Sequence, residues 1–342
     1  MKILPKPSGP YTVGSVDCEI TDTGRTSHLA SRETGRKIFV KFWYPAGVPA
    51  VHDYRRERLW EQLRGEPHLP AIAKLLLRPA MKVMTNTYHG APYAAHAGPP
   101  RILVYNHGLI SFVSENSMLM EHLASRGYIV IALQHREQLA ELQALQKGQS
   151  ADVKQAQATL QRRIKASTGA ERAALSHEYF RIASNTNRIA DARAIDVEYA
   201  VANLGSVLEA IPGVDRSAPA VVAGVIGLSL GGAVATEYAR RNPAGDVCIV
   251  NMDGGIYGLQ LEQPIATRYL MLYSEENNGN NARSLTATPG AAITNSVIPG
   301  TRHLNLHDIA AVYPALKWLG AIGSAHPATV IEKRNLLVSD FI

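Results

Sequence analysis

The sequence predicts an α/β fold with a mostly parallel, doubly wound sheet. Three observations lead to this prediction: short apolar runs of strand length recur along the chain, segments of helical pattern alternate with them, and Gly or Pro often separates the two. The 342 residues, of which 46% are hydrophobic and 19% charged, can bury a sizeable core. We therefore predict a single domain over residues 1–342.

The first elements are two extended segments, Tyr11–Ile20 and Lys37–Tyr44, which we expect to pair antiparallel at an edge of the sheet. Parallel-type strands follow as short apolar runs at Arg101–Asn106, Tyr128–Leu133, Ala220–Ile226, Asp246–Asn251, Arg268–Tyr273 and Thr294–Ile298. Helical patterns alternate with them at Ser114–Arg126, Asn187–Leu204 and Gly232–Arg241, and the first two end before a glycine. In such sheets the chemistry gathers at the carboxyl ends of the strands.

Two insertions interrupt this alternation, at residues 51–84 and 138–182. Over residues 69–84, basic residues recur every fourth position opposite apolar ones, which predicts an amphipathic cap packed on the domain. Peripheral contact of this stretch with a lipid surface is the alternative. The second insertion is rich in helix-forming residues and follows a strand end. It is therefore predicted to be a helical lid over the site, or else a solvated hairpin without a gating role.

Composition and charge argue against several classes of function. The net charge of +6 is scattered, without a Lys/Arg block or a nucleic-acid-binding motif, so no nucleic-acid partner is expected. Cys18 and Cys248 are the only cysteines and lie far apart, which favours a reducing compartment over a disulfide framework. Residues 1–10 lack the apolar segment of a secretory signal, and no apolar run is long enough to span a membrane. We expect a cytoplasmic protein, and the sequence leaves its oligomeric state open.

The most telling motif is Gly227-Leu228-Ser229-Leu230-Gly231. It follows the apolar run of residues 221–226 and opens onto the helical pattern of residues 232–239, so that Ser229 lies at the apex of a strand–turn–helix unit. This context is typical of the nucleophile elbow of an α/β-hydrolase fold, and a structural tight turn is the alternative. The free N–H groups of the helix N-terminus would stabilise negative charge that develops beside the serine.

A serine hydroxyl becomes a nucleophile when a base takes its proton, and the base in turn needs an orienting acid. In this fold the order along the chain is serine, acid, histidine. We predict His303 as the base because it follows the last strand and a Pro-Gly turn, whereas His307 enters a terminal helix. The two histidines are four residues apart, but no glutamate lies between them and no clear third ligand follows. No metal or other cofactor is therefore expected.

The acid has two candidate positions on the residues alone. Asp253 follows one strand and is flanked by Gly254, which allows the sharp backbone turn that a presented carboxylate needs. Glu275 and Glu276 follow the next strand, where a carboxylate would also reach the same edge of the sheet. The other interpretations are a turn-stabilising aspartate and a pair of surface charges.

The oxyanion hole needs two backbone N–H groups that point at the tetrahedral intermediate. Leu230, directly after the serine, is one candidate donor, and Leu109 in the loop after Arg101–Asn106 is the other. Gly108 allows that loop to turn, and the side chain of His107 is interpreted as a core histidine. The predicted lining of an acyl pocket is Ile110, Phe112, Ile256 and Leu304.

Several stretches across the chain carry a family resemblance. They are residues 8–14, Phe42–Ala46, Asn106–Phe112, Leu123–Val130, His135-Arg136, Gly227–Gly232, Asn251–Asp253, Tyr273–Glu275 and His303–Asn305. On these residues the chain resembles the platelet-activating-factor acetylhydrolases of the monomeric serine-lipase type and their bacterial relatives, the dienelactone-hydrolase-like esterases. The resemblance implies that Asp253 is the acid, that Leu109 and Leu230 are the oxyanion donors, and that the helical insertion has a family counterpart.

The resemblance also implies a substrate class. The family hydrolyses acyl esters of short-chain or oxidised phospholipids, and its bacterial relatives act on varied esters, lactones and amides. This chain has Gly254-Gly255 where relatives carry bulky residues, which predicts a more open pocket wall.

We therefore predict a cofactor-free serine hydrolase that cleaves lipid or small-molecule esters through an acyl-enzyme. The alternative is an acyltransferase, a cyclase, or a lactone or amide hydrolase of a biosynthetic pathway that uses the same acyl-enzyme, followed by a non-catalytic binding protein on the same fold.

Overall fold

The computed structural model describes residues 3–26, 34–47, 53–64, 75, 77–94, 99–135, 147–215, 217 and 219–342. This part of the chain contains a ten-stranded sheet. The strands are β1 (Thr12–Thr26), β2 (Thr34–Ala46), β3 (Arg56–Arg58), β4 (Met84–His89), β5 (Arg101–Asn106), β6 (Tyr128–Gln134), β7 (Val221–Leu228), β8 (Cys248–Met252), β9 (Tyr269–Ser274) and β10 (Ile293–Ile298). Their order across the sheet is β10-β9-β8-β7-β5-β6-β2-β1-β4-β3.

Six neighbouring strands form the parallel half of the sheet. β5 pairs with β6 on one side and with β7 on the other, and β8, β9 and β10 follow in parallel. All residues of β6, β8 and β9 are buried, as expected for strands that helices cover on both faces. After β5 the chain adds β6 on one side of it and then β7 to β10 on the other side. At such a reversal of strand order a crevice is expected, here at the carboxyl ends of β5 and β7.

The antiparallel half differs in one respect from the prediction. β1 and β2 pair antiparallel as expected, and β2 joins the parallel half through β6. They do not lie at the edge, because β4 pairs in parallel with β1 and β3 pairs antiparallel with β4 beyond it. These two strands are short and polar, which is why the apolar pattern does not reveal them. Buried Glu57 in β3 is accommodated by an ion pair with Lys41 at 2.9 Å.

Helices cover both faces of the sheet. They are α1 (Ser117–Ser125), α2 (Ala151–Ala166), α3 (Gly169–Ile182), α4 (Ser184–Ala202), α5 (Leu204–Leu208), α6 (Leu230–Arg241), α7 (Ile309–Val312) and α8 (Pro327–Phe341). The three predicted helices correspond to α1, α4 and α6. One apolar core joins α4 and α6 to the sheet through residues such as Val197 and Val234, and a second joins α1 and α8 through Leu119 and Val338. The predicted doubly wound α/β architecture is confirmed.

The two insertions are described in part. Residues 65–74 and 76 of the first lie outside the described residues, and with them most of the predicted amphipathic stripe. Its described end packs inward, with Met81 and Val83 in a core cluster beside Trp60. Residues 138–146 of the second also lie outside the described residues, and the remainder forms the α2–α3 hairpin. Among the described helices, none is long and apolar enough to cross a membrane.

Candidate active site

Ser229 occupies a strained turn between β7 and α6. Its backbone has φ 56° and ψ −122°, a region that non-glycine residues avoid and that is found at functional sites. The Ser229 N–H donates to the carbonyl of Met252 at 2.9 Å, which ties the turn to the end of β8. A Cβ atom on Gly231 would overlap the carbonyl of Asn106 in β5, and one on Gly227 would overlap the backbone of Gly231. The two glycines therefore allow the strand and the helix to cross closely enough to form the elbow.

Asp253 lies directly after β8, also with a positive φ of 55°. Its buried carboxylate accepts hydrogen bonds from the N–H of Ser274 at 2.7 Å, from the Ser274 hydroxyl at 2.8 and 2.9 Å, and from Asn277 Nδ2 at 2.8 Å. These donors fix the carboxylate in one orientation. Its Oδ2 accepts a further hydrogen bond, at 2.7 Å, from Nδ1 of His303.

The carboxylates of the alternative acids, Glu275 and Glu276, accept hydrogen bonds from the backbone of the His303 loop and not from the imidazole. Glu275 Oε2 accepts the Gly300 N–H at 2.9 Å, and Glu276 Oε2 accepts the His303 N–H at 3.3 Å. Asp253 is therefore the carboxylate that contacts the ring, and the two glutamates hold the backbone that carries it.

His303 begins a short 3-10 turn, His303–Leu306, at the end of the loop after β10. Burial lowers the pKa of its imidazole, but the hydrogen bond and the negative charge of Asp253, with the charges of Glu115 and Glu276, raise that pKa above its ordinary value overall. The side chain is about one-third exposed, at 36%. Between Ser229 and His303, both within the described part of the chain, no hydrogen bond is formed. Such contacts often tighten only in the substrate complex.

The predicted oxyanion donors lie on either side of Ser229. Leu230 is the first residue of α6, so its N–H is one of the free donors at a helix N-terminus. Across from it, the loop after β5 approaches the serine closely, since a Cβ atom on Gly108 would lie 3.5 Å from the Cβ of Ser229. Leu109 follows at the surface. Ile110 has a φ of 54°, which is strained for a β-branched residue.

The four predicted pocket residues divide into two groups. Ile110 is 53% exposed and Leu304 is half-buried, so both lie at the surface beside the triad candidates. Ile256 is fully buried, and Phe112 packs edge-on against Trp60 with ring centroids 5.4 Å apart. The last two therefore belong to the packed interior in this structure.

The predicted open pocket wall at Gly254-Gly255 is wrong. A Cβ atom on Gly254 would overlap the carbonyl of Ser229, and one on Gly255 would lie 2.6 Å from the Tyr257 ring and 2.8 Å from the Phe180 ring. These glycines are needed because neighbouring groups already fill the space. Phe180 belongs to α3, so the helical insertion packs directly on the loop that carries Asp253.

Sequence reasoning missed the buried carboxylate of Glu115 beside the site, and it considered His307 only as an alternative base or a metal ligand. Burial raises the pKa of Glu115 to about 7, although hydrogen bonds from Ser111, Tyr105 and Gly108 and the charge of His303 oppose the rise. His307 lies nearby, with its Nε2 at 3.7 Å from Glu115 Oε2, and burial together with the charges of Arg334 and His303 lowers its pKa to about 3. Glu115 belongs to no local motif that the sequence would reveal. In the described ranges no cluster of three or more potential metal ligands occurs.

An open groove of about 600 Å³ runs beside the His303 loop. It is lined by charged side chains of both signs, among them Arg172, Glu276, Arg302 and Lys317. A more apolar cavity of about 540 Å³ lies elsewhere, between the N-terminal segment and α8, and contains none of the predicted triad residues. The polar groove is likewise lined by none of the predicted triad residues, but it borders the His303 loop through Gly300, Thr301 and Arg302.

Comparison with known proteins supports the resemblance. The chain matches the family described as platelet-activating factor acetylhydrolase, isoform II, over residues 1–339. It is 28% identical over 150 residues, 41% of this chain and 34% of the relative, to a candidate phospholipase A2 of Schizosaccharomyces pombe. It is also 28% identical over 144 residues, 40% of this chain and 30% of the relative, to platelet-activating factor acetylhydrolase of Cavia porcellus. The matched stretch thus spans about a third of each curated relative.

Among solved structures, the chain is similar to the ferulic acid esterase of Streptomyces cinnamoneus, with a TM-score of 0.66 and 18% identity. The similarity covers 99% of this chain and 92% of the esterase. At this identity it demonstrates the fold, and the predicted α/β-hydrolase fold is confirmed. Because the family match extends over nearly the whole sequence, the chain belongs to the platelet-activating factor acetylhydrolase, isoform II, family.

Proposed function

We propose that this protein is a serine hydrolase that cleaves carboxylic esters through an acyl-enzyme, with Ser229, Asp253 and His303 as its triad. The observation that carries the proposal is the 2.7 Å hydrogen bond between His303 and Asp253, at the edge of the sheet where the strained elbow presents Ser229. The family membership and the names of its relatives support ester hydrolysis.

The proton path follows from the tautomer of His303. An ionised carboxylate only accepts hydrogen bonds, so the Nδ1 that faces Asp253 carries the proton and Nε2 keeps its lone pair. Nε2 is therefore the atom that takes the proton of Ser229 as the alcohol attacks the ester carbonyl. Asp253 then stabilises the imidazolium that results, which is the state its charge favours.

The tetrahedral intermediate places a negative charge on the former carbonyl oxygen. The N–H groups of Leu230 and Leu109 are the proposed donors to that oxygen, and loss of one such donor typically slows the reaction about 10²- to 10³-fold. The imidazolium of His303 then protonates the departing alcohol. In the second half-reaction, His303 deprotonates a water molecule that attacks the acyl-enzyme, and it returns that proton to the Ser229 oxygen as the acyl–oxygen bond breaks.

The proposed substrates are short-acyl lipid esters or small-molecule esters. The charged groove beside His303 is suited to a polar leaving group, since Arg172, Arg302 and Glu276 line it together. Contact of residues 69–84 with a lipid surface, and a gating motion of the α2–α3 hairpin, remain predictions.

Labelling with a fluorophosphonate tests the proposal directly. The probe should modify Ser229 in the wild-type protein and should leave Ser229→Ala unlabelled and inactive. A chain-length series of p-nitrophenyl esters, with short-acyl phospholipids alongside, would then define acyl size and leaving group. Labelling of another serine in the folded protein, with Ser229→Ala still active, would refute the assignment.

A further inference from the structure

The loop that carries Leu109 is closed by a single buried carboxylate. Glu115 Oε1 accepts the Gly108 N–H at 3.0 Å and the Tyr105 hydroxyl at 2.6 Å, while its Oε2 accepts the Ser111 hydroxyl. The side chain is almost completely buried, with 1% of its surface exposed. One carboxylate thus bridges residues 108 and 111, and only Leu109 and Ile110 project between them.

A buried cation holds the opposite side of the same loop. Arg193, on α4, is also 1% exposed, and its Nη1 donates to the carbonyl of His107 at 3.1 Å and to that of Gly108 at 3.4 Å. The imidazole of His107 adds a third contact. Its Nε2 accepts the His135 N–H at 3.1 Å, so Nδ1 carries the proton and donates to the Gly108 carbonyl at 2.7 Å.

These contacts determine where the Leu109 N–H points. In a trans peptide the carbonyl of one residue and the N–H of the next point in opposite directions. Because Arg193 and His107 hold the Gly108 carbonyl on their side, the Leu109 N–H must point away from them. The positive φ of Ile110 is a conformation that persists only when its surroundings enforce it, and the bridge by Glu115 supplies such a constraint.

We propose that Glu115 and Arg193 are positioning residues for the oxyanion hole. They hold the N–H and the carbonyl of Gly108 with charges of opposite sign, and so direct the Leu109 N–H toward the oxygen that becomes negative during acyl transfer. This inference rests on the proposed function. Neither residue touches the substrate, and their effect belongs to the transition state.

The first test replaces the cation. Arg193→Met should lower kcat for p-nitrophenyl acetate roughly 10- to 100-fold while KM changes less than about twofold, because the ground-state ester does not need the oxyanion contact. The inhibition constant of a trifluoromethyl ketone, whose hemiketal adduct with Ser229 carries the oxyanion, should rise by the same factor. Arg193→Lys should recover part of the loss. Arg188→Met, at an exposed position of the same helix, is the matched control and should behave as wild type.

The second test replaces the carboxylate and also covers the case in which Arg193→Met fails to fold. Glu115→Ala removes the bridge and should show the same kcat loss and the same weakening of ketone inhibition. Glu115→Gln keeps an oxygen for the Gly108 N–H and should retain kcat within about fivefold of wild type at its optimal pH. Glu121→Gln alters another buried carboxylate, which bonds Thr87 instead of the loop, and should change neither quantity.

The outcomes separate this inference from the function beneath it. If wild type turns over esters and folded Arg193→Met or Glu115→Ala keeps wild-type kcat and ketone affinity, the positioning role is wrong while the hydrolase assignment stands. A loss of kcat without weaker ketone inhibition would also overturn it, because general destabilisation would then be the cause. A wild-type protein that is neither labelled nor active would overturn both proposals.

Discussion

The two sides of the candidate site are held in place by different means. At the elbow, Ser229 is positioned by backbone hydrogen bonds and by glycines two residues away on each side. At the facing loop, Gly108 is held by buried charges, one of which, on Arg193, lies 85 residues further along the chain. The elbow therefore depends on close steric fit, whereas the loop depends on electrostatic contacts, one of them from the distant helix α4. Substitutions should affect the two sides in different ways.

The largest effect is expected at the elbow. Gly231→Ala places a methyl group where the Asn106 carbonyl already lies, so strand and helix must separate. We expect the free energy of unfolding to fall by more than about 4 kcal/mol, together with loss of esterase activity. Chemical denaturation measures this, with Gly205→Ala as the control, because that helical position has open space for a methyl group. Equal stability of the two variants would show that the elbow tolerates expansion.

The next largest effect is expected at the acid. Asp253→Asn keeps the shape of the side chain, but its amide can donate to His303 Nδ1 and so favours the tautomer with the proton on Nε2. We expect kcat to fall roughly 10³- to 10⁴-fold, with the protein still folded. Steady-state kinetics and circular dichroism check the two parts. A loss below tenfold would remove Asp253 from the triad.

The difference between the elbow and the facing loop also explains which parts of the fold and the site could be predicted from the sequence. The elbow can be recognised from consecutive residues, because an apolar strand, a Gly-flanked turn and a helix follow one another around Ser229. The parallel strands are equally readable as apolar runs, since helices bury both of their faces. The base was predicted from the chain order of the fold and from the strand end before it. That order did not distinguish Asp253 from Glu275 and Glu276, because each follows a strand end, and the family resemblance was needed to choose Asp253.

The features of the site that could not be predicted from the sequence depend on tertiary packing. Arg193 and Glu115 reach Gly108 only once α4 and the start of α1 are packed beside β5, and no spacing in the sequence signals this. Ile256, predicted as one of the apolar neighbours that line an acyl pocket, is fully buried in this structure, and the sequence does not show whether an apolar residue serves a core or a pocket. Likewise, the glycine at position 255 predicted an open pocket wall, whereas the rings of Tyr257 and of Phe180 fill this space, and Phe180 comes from the distant helix α3.

A smaller and purely electrostatic effect should distinguish the charged loop from the elbow. At a pH above about 7, where Glu115 is ionised, its negative charge helps to raise the pKa of His303, and His303 must be neutral to act as a base. Activity should therefore decline as the pH falls through that raised pKa. Glu115→Gln removes the negative charge, so the pKa of His303 falls and the acidic limb of kcat/KM moves to lower pH. An unmoved limb, compared with Glu121→Gln, would show that the two groups are not coupled.

The smallest effect is expected for Glu276→Gln. This exposed carboxylate also raises the pKa of His303, but as the weakest of the named contributions, and it bonds only the His303 backbone N–H at 3.3 Å. We expect kcat to change less than about threefold, because water screens an exposed charge. Its shift of the acidic limb should disappear as salt rises toward 1 M, whereas the shift caused by Glu115→Gln should persist, since buried charges are screened far less. If both shifts vanish with salt, solvent reaches Glu115, and the loop is then not held by a buried charge.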